Sequence, residues 1–192
     1  SYGRVYFLNN DGSLQKEIDI PGNVEFKTQI GVVDIGNNSY EILAFDNNST
    51  LYRINSDKII SEIKIEQHVD KYFGAFKNIS GSSAQEFILI ARNKLSAYET
   101  NSYKPMFEFH FTKDIEDKPQ FFKIPTSNEY HIGVASKATN LLYLFGNTGT
   151  LMNGFPVEGQ PLFYYGKINY NSDTYLLCMR RDKKLYAFKH QK

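Results

Sequence analysis

A metal ion, a carboxylate acid–base pair, a thiol nucleophile and a stacking platform each need particular residues at particular spacings. This chain offers a partial version of each. Calcium takes about six to eight oxygen ligands, several of them carboxylates. The turn Asp34-Ile35-Gly36-Asn37-Asn38-Ser39 keeps one acid, and the corresponding loops Lys77-Asn78-Ile79-Ser80-Gly81 and Ile168-Asn169-Tyr170-Asn171-Ser172-Asp173 keep one between them. Asp34 is therefore the candidate metal ligand, against an ordinary Asx turn. His68, His110, His131 and His190 are scattered and show no metal-ligand spacing. Glu41 and Glu86 stand at equivalent places ahead of two apolar runs. They suit a pair of glycosidase carboxylates only if the fold brings them together, and the simpler expectation is that both end strands at a solvated edge. Cys178 lies inside the apolar run Tyr175-Leu176-Leu177-Cys178-Met179 and reads as a small buried hydrophobe. Tyr164, Tyr165 and Tyr170, with Phe121-Phe122, are the candidate stacking aromatics for a sugar or peptide, against structural aromatics between packed sheets. No P-loop, nucleophile elbow or dinucleotide fingerprint is present. No catalytic or cofactor-binding residue is assigned, and no cofactor is expected.

Composition narrows the class. The 192 residues include 14 Tyr and 15 Phe but no Trp, a bias toward pleated, half-buried surface. Basic residues number 22 and acidic ones 21, for a net charge of +1. A nucleic-acid binder shows a basic stripe, whereas the longest cluster here, Arg180-Arg181-Asp182-Lys183-Lys184, is broken by an acid and reads as a solvated turn. One cysteine permits no intrachain disulfide. No run approaches the ~20 apolar residues of a membrane helix, so this segment is not expected to insert in a membrane.

The elements that must position these groups are set by a repeat. A short cassette recurs as Val5-Tyr6-Phe7-Leu8, Leu51-Tyr52-Arg53-Ile54, Leu95-Ser96-Ala97-Tyr98, Leu142-Tyr143-Leu144-Phe145 and Leu185-Tyr186-Ala187-Phe188, at intervals of 46, 44, 47 and 43 residues. A second strand pattern precedes four of them, as in Glu41 to Phe45 and Glu86 to Ile90, and a third lies upstream again, as in Ile30 to Ile35 and Tyr72 to Phe76. Turns such as Asn10-Asp11-Gly12-Ser13 lead to a fourth strand, near Leu14 to Ile20, Ile59 to Ile65, Met106 to Phe111 and Leu151 to Val157. Helical periodicity with caps at both ends is missing.

Four short antiparallel strands every ~45 residues are the pattern of a β-propeller blade. The expected fold is all-β, a propeller or partial propeller of about four to five blades. Residues 1–192 form one repeat domain: a partial blade at 4–29, blades at 30–66, 71–111 and 119–157, and a partial blade at 162–188. The strand count is two, then twelve, then three. This bookkeeping, with an opening at Ser1-Tyr2-Gly3-Arg4 and no initiator Met, suggests a fragment of a larger propeller whose missing strands lie upstream. The partial blades would expose pairing edges and apolar faces, so the expected partners are a protein, the upstream blades, or a second copy forming a homodimer.

The C-terminal third resembles a bacterial repeat family of unknown function. The resemblance rests on Leu142-Tyr143-Leu144-Phe145, Gly149-Thr150-Leu151, Gly154-Phe155-Pro156-Val157, Gly166-Lys167-Ile168 and Lys184-Leu185-Tyr186-Ala187-Phe188. It is specific from about Leu141 onward. The cassette is also similar to quinoprotein-like propeller repeats, whose blade Trp is absent here, and the turns to integrin-like repeats with most of their acids lost. The resemblance implies a propeller in a cell-envelope or extracellular bacterial protein, with a cytoplasmic location open, and no established activity. The expected role is a non-catalytic interaction or scaffold module. The alternative is a propeller that binds carbohydrate or a metal, an enzyme included.

Overall fold

The computed structural model describes residues 3–26, 28–37, 39–65, 71–168 and 173–190. Among them are seventeen strands in five antiparallel sheets and no helix, so no helix is long and apolar enough to cross a membrane. The first sheet pairs β1 (Arg4–Leu8) with β2 (Leu14–Asp19). The second runs β3 (Gly31–Gly36), β4 (Ser39–Phe45), β5 (Thr50–Ile54) and β6 (Ile59–Lys64) in order. The third holds β7 (Tyr72–Lys77), β8 (Glu86–Ala91), β9 (Lys94–Glu99) and β10 (Pro105–His110). The fourth holds β11 (Gln120–Lys123), β12 (Tyr130–Ser136), β13 (Leu141–Phe145) and β14 (Val157–Glu158). The fifth has β15 (Tyr164–Gly166), β16 (Thr174–Met179) and β17 (Leu185–His190). These are the blades of a β-propeller, and within each sheet consecutive strands are neighbours. By its contacts the chain divides into two compact units, Ser1–Asp70 with Gly74–Phe76, and Lys71–Phe73 with Lys77–Lys192.

One expected strand is largely missing. Leu151 makes only an isolated bridge to Phe145, and β14 is two residues long. Between them Gly154 turns the chain at φ +81° and Pro156 offers no N–H to a ladder, so pairing resumes only at Val157.

The middle strands of the second, third and fourth sheets bury most of their residues, which is why they read as nearly continuous apolar runs. In the larger unit, alternation along β12 and β13 feeds two cores. Ile132, Val134, Tyr143 and Phe145 face one with Ile88, Ile90 and Leu95. Ala135, Leu142 and Leu144 face the other with Phe122, Phe163, Tyr165 and Leu176. The smaller unit packs Ile18, Ile20, Val24, Tyr52 and Ile54 together. By contrast β1 and β17 alternate exposed and partly buried residues, with Leu8 and Leu185 at 58% and 71% exposure.

Candidate functional site

The acids that suggested chemistry are employed as local structure. The Asp34 carboxylate accepts the Gly36 N–H at 2.8 Å, an Asx turn at the end of β3. Glu41 and Glu86 do not end strands at a solvated edge. Both are buried, Glu41 in an ion pair with Arg53 and Glu86 accepting the Ile79 N–H at 2.7 Å and the Ser80 hydroxyl. The correction has a physical cause. A carboxylate is sheltered when a neighbouring strand or loop turns a donor onto it, and those donors lie outside the strand that carries the acid.

An acid that the repeat did not single out is buried more completely. Asp46, with no exposed surface, accepts the Asn48 and Thr50 N–H groups at 2.9 and 2.7 Å and the Tyr52 hydroxyl at 3.1 Å. Burial first, and the adjacent Asp46 carboxylate second, push the Tyr52 pKa up to about 12. Asp182 repeats the device in the fifth sheet, accepting the Lys184 N–H at 3.0 Å and the Tyr186 hydroxyl at 2.7 Å. The cassette tyrosine thus ties two blades to their own turns, a pairing visible in sequence as Asp-x5-Tyr and Asp-x3-Tyr. Cys178 is 1% exposed and burial raises its pKa, so its thiol stays protonated.

An opening lies within the larger unit, at one end of the fourth and fifth sheets. It is a cavity of about 670 Å³. The strand order explains its lining. β11 and β15 end here, β12 and β16 begin here, and β17 ends here, so Lys123, Lys167, His131, Thr174 and His190 converge from separate segments. Parity along β12 does the rest. Residues 131, 133 and 135 share the face that meets the fifth sheet. A Cβ on Gly133 would stand 2.5 Å from the Phe122 ring and 2.6 Å from that of Phe163, so only glycine lets the two sheets close at this level. Two residues along, the His131 imidazole falls against Tyr165.

Tyr165 is the centre of the site. Its ring meets His131 and His190 edge-on, with centroids 5.5 and 5.6 Å away, and Phe122 and Phe155 enclose it further. It is 6% exposed. Tyr164, its neighbour in β15, is 46% exposed and donates its hydroxyl to the Lys167 carbonyl at 3.2 Å. Phe122 touches both tyrosines, whereas Phe121 packs into the other core. Tyr170 and His68 lie outside the described residues. Asp34 belongs to the smaller unit.

The electrostatics of the cavity are uneven. Lys189 is held by Asp173 at 2.8 Å, which raises the lysine's pKa. Lys123 and Lys167 form no ion pair among the described residues. Burial lowers the His131 pKa, a backbone hydrogen bond with Phe145 opposes it, and His190 adds to the lowering. The His131 Nδ1 is enclosed without a hydrogen-bond partner among the described residues. Sequence reasoning set the histidines aside as scattered, yet two of them meet on one tyrosine. No three of the described His, Cys, Asp and Glu residues gather as a metal site would need.

No protein-family model matches the sequence, and no curated protein matches it. Solved structures do resemble it. The crystal structure of BBS1N in complex with ARL6DN superposes with a TM-score of 0.61 at 17% identity, over 96% of this chain and 53% of that one. The complex of the fission yeast SREBP-SCAP binding domains gives 0.60 at 10% identity, over 100% and 57%. A protein of unknown function from Bacteroides caccae gives 0.50 at 14% identity, over 98% and 69%. The chain spans about half the length of the first two. At these identities the likeness establishes the fold and nothing finer.

Proposed function

We propose that this chain is a non-catalytic propeller module that holds a polypeptide partner, with the cavity of the fourth and fifth sheets as its binding surface. The observation that carries this reading is the division of labour among polar groups. The acids singled out above are spent on turns and an ion pair, while Lys123 and Lys167 line the cavity with no ion pair among the described residues. A surface so arranged is suited to recognition. Fold alone licenses no activity, but two of the structures that share it are described as complexes, BBS1N with ARL6DN and the SREBP-SCAP binding domains. The same reading includes self-association through Leu8 in the first sheet or Leu185 in the fifth, each largely exposed. A setting in a bacterial cell envelope, and kinship with the bacterial repeat family, belong to the proposal and rest on the C-terminal resemblance.

The test is to pan a displayed random-peptide library against the immobilised chain and measure hydrogen exchange with the best binder present. Peptides that bind the folded chain and protect β11, β12, β15 and β17 support the reading. A library that yields no binder, or binders held equally by the heat-unfolded chain, ends it.

A further inference from the structure

We infer that the cavity takes an acidic segment of extended polypeptide, its carboxylates on Lys123 and Lys167 and an apolar side chain against Ile124, Pro125 and Met152. This inference rests on the interaction-module reading and adds the chemistry of the partner. Four observations carry it.

The first is charge. Asp173 neutralises Lys189, so Lys123 and Lys167 leave the lining with two uncompensated positive charges in a chain whose net charge is +1. Low-dielectric walls concentrate such a local excess. The second is His131. Its ring lines the cavity beside Thr126 and Thr174, whose hydroxyls both donate and accept hydrogen bonds. A simple anion only accepts from such groups, whereas a peptide backbone meets them with both N–H and C=O. The third is shape. A cavity of about 670 Å³ with an apolar strip beside its lysines lies within the ~300–1,000 Å³ typical of sites for organic ligands, well beyond an inorganic anion. The fourth is the enclosure of Tyr165. Rings pack against it on several sides, so it offers no open face on which a nucleobase or a sugar could stack.

The experiment titrates the whole chain into fluorescein-labelled Glu-Leu-Glu-Leu-Glu-Leu and follows anisotropy, with the Gln-for-Glu peptide alongside. The glutamate peptide is expected to bind, the glutamine peptide at least about tenfold more weakly, and added salt to weaken the former. The double variant Lys123→Glu/Lys167→Glu is expected to lose binding to the same degree. Both side chains are exposed, and an unchanged melting temperature verifies the fold. Equal binding of the two peptides, no binding of either, or full affinity in the double variant overturns the inference. So does complete displacement by citrate at equal carboxylate concentration, which would mark a small-anion site. Failure here is separable from failure of the parent reading. Panned peptides that are not acidic and still bind the double variant would sink this inference and leave the module standing, while an empty panning experiment would sink both.

Discussion

Asp46→Ala should be among the most damaging single changes in the smaller unit. The carboxylate has no exposed surface and accepts from three donors, two on the turn backbone and one on Tyr52. Removing it strands each differently. Asn48 is exposed, so water replaces its lost bond at little cost. Thr50 is partly buried and Tyr52 is 4% exposed, and each enclosed donor left unpaired costs about 1–3 kcal/mol. The turn is also pinned to its neighbour, since the Asn47 N–H reaches the Glu25 carbonyl and the Asn47 amide oxygen accepts the Glu25 N–H. The damage should therefore stay local at first and sum to about 3–4 kcal/mol. That is a large share of the ~5–15 kcal/mol that holds a typical domain. Asp46→Asn keeps an oxygen for the two N–H groups and turns its amide toward the hydroxyl, so it should cost about 1 kcal/mol. The assay is urea unfolding followed by near-ultraviolet circular dichroism, for which the 14 tyrosines supply the signal. An alanine variant within about 0.5 kcal/mol of the parent, or an asparagine variant as damaged as the alanine one, would refute the acceptor argument. A double-mutant cycle with Tyr52→Phe should return a coupling of about 0.5–3 kcal/mol.

Four further outcomes are expected. The folded Tyr52 keeps its proton up to about 12, against 10 when unfolded, so its contribution is full below pH 10 and disappears between pH 10 and about 12. The two-unit gap corresponds to about 2–3 kcal/mol, and Tyr52→Phe should flatten the fall in stability over that window in alkaline unfolding curves. His131 runs the other way. Its folded pKa lies below the ordinary 6.5, so the unfolded chain binds the proton first and stability should fall as pH drops below about 6.5. His131→Gln should reduce that slope, with His190 and Glu129 as the neighbours whose charge also bears on it, and an unchanged slope would assign the acid loss elsewhere. Gly133→Ala should cost about 1–3 kcal/mol of overpacking against Phe122 and Phe163, read as a lower urea midpoint at constant slope. The chain should sediment as a concentration-dependent dimer that Leu185→Lys or Leu8→Lys weakens, and a monomer at every concentration would end the self-association reading.

The strands were legible because a blade must satisfy a local rule many times over. Three of the five cassettes place two apolar residues on each face of their strand, Arg53 and Ser96 being the exceptions in the other two, and the turn residues between cassettes fix the hairpins, so seventeen strands follow from a pattern of period two. The rule fails where a single residue interrupts it. Nothing in the apolar content of Leu151 to Val157 says that pairing stops at Met152, but Gly154 and Pro156 do. Burial of the acids was illegible for another reason. Glu41 and Glu86 occupy the same strand position, yet one is sheltered by Arg53 of the next strand and the other by the Ile79 N–H of the preceding loop. Equivalence in the repeat fixes where a side chain starts. It does not fix which donor waits for it.

The convergence of His131 and His190 lies between these cases, because its ingredients are in the sequence but it depends on strand parity as well as on spacing. In a blade the second strand begins, and the third ends, at the same end of the sheet, as the pairing of Thr174 with His190 shows in the fifth. A residue early in β12 and one late in β17 must therefore stand at the same level on adjacent blades. Whether they meet depends on face. His131 shares its parity with Gly133 and Ala135, small residues that admit the rings of the next sheet, and His190 shares its own with Tyr186 and Phe188. Both imidazoles are thus directed at whatever ring fills the space between, and β15 places Tyr165 there. Spacing along the chain, which governs metal-site motifs within one loop or helix, is the wrong metric for a repeat fold. The working coordinate is blade, strand, level and face, and in that coordinate two histidines that look scattered become neighbours.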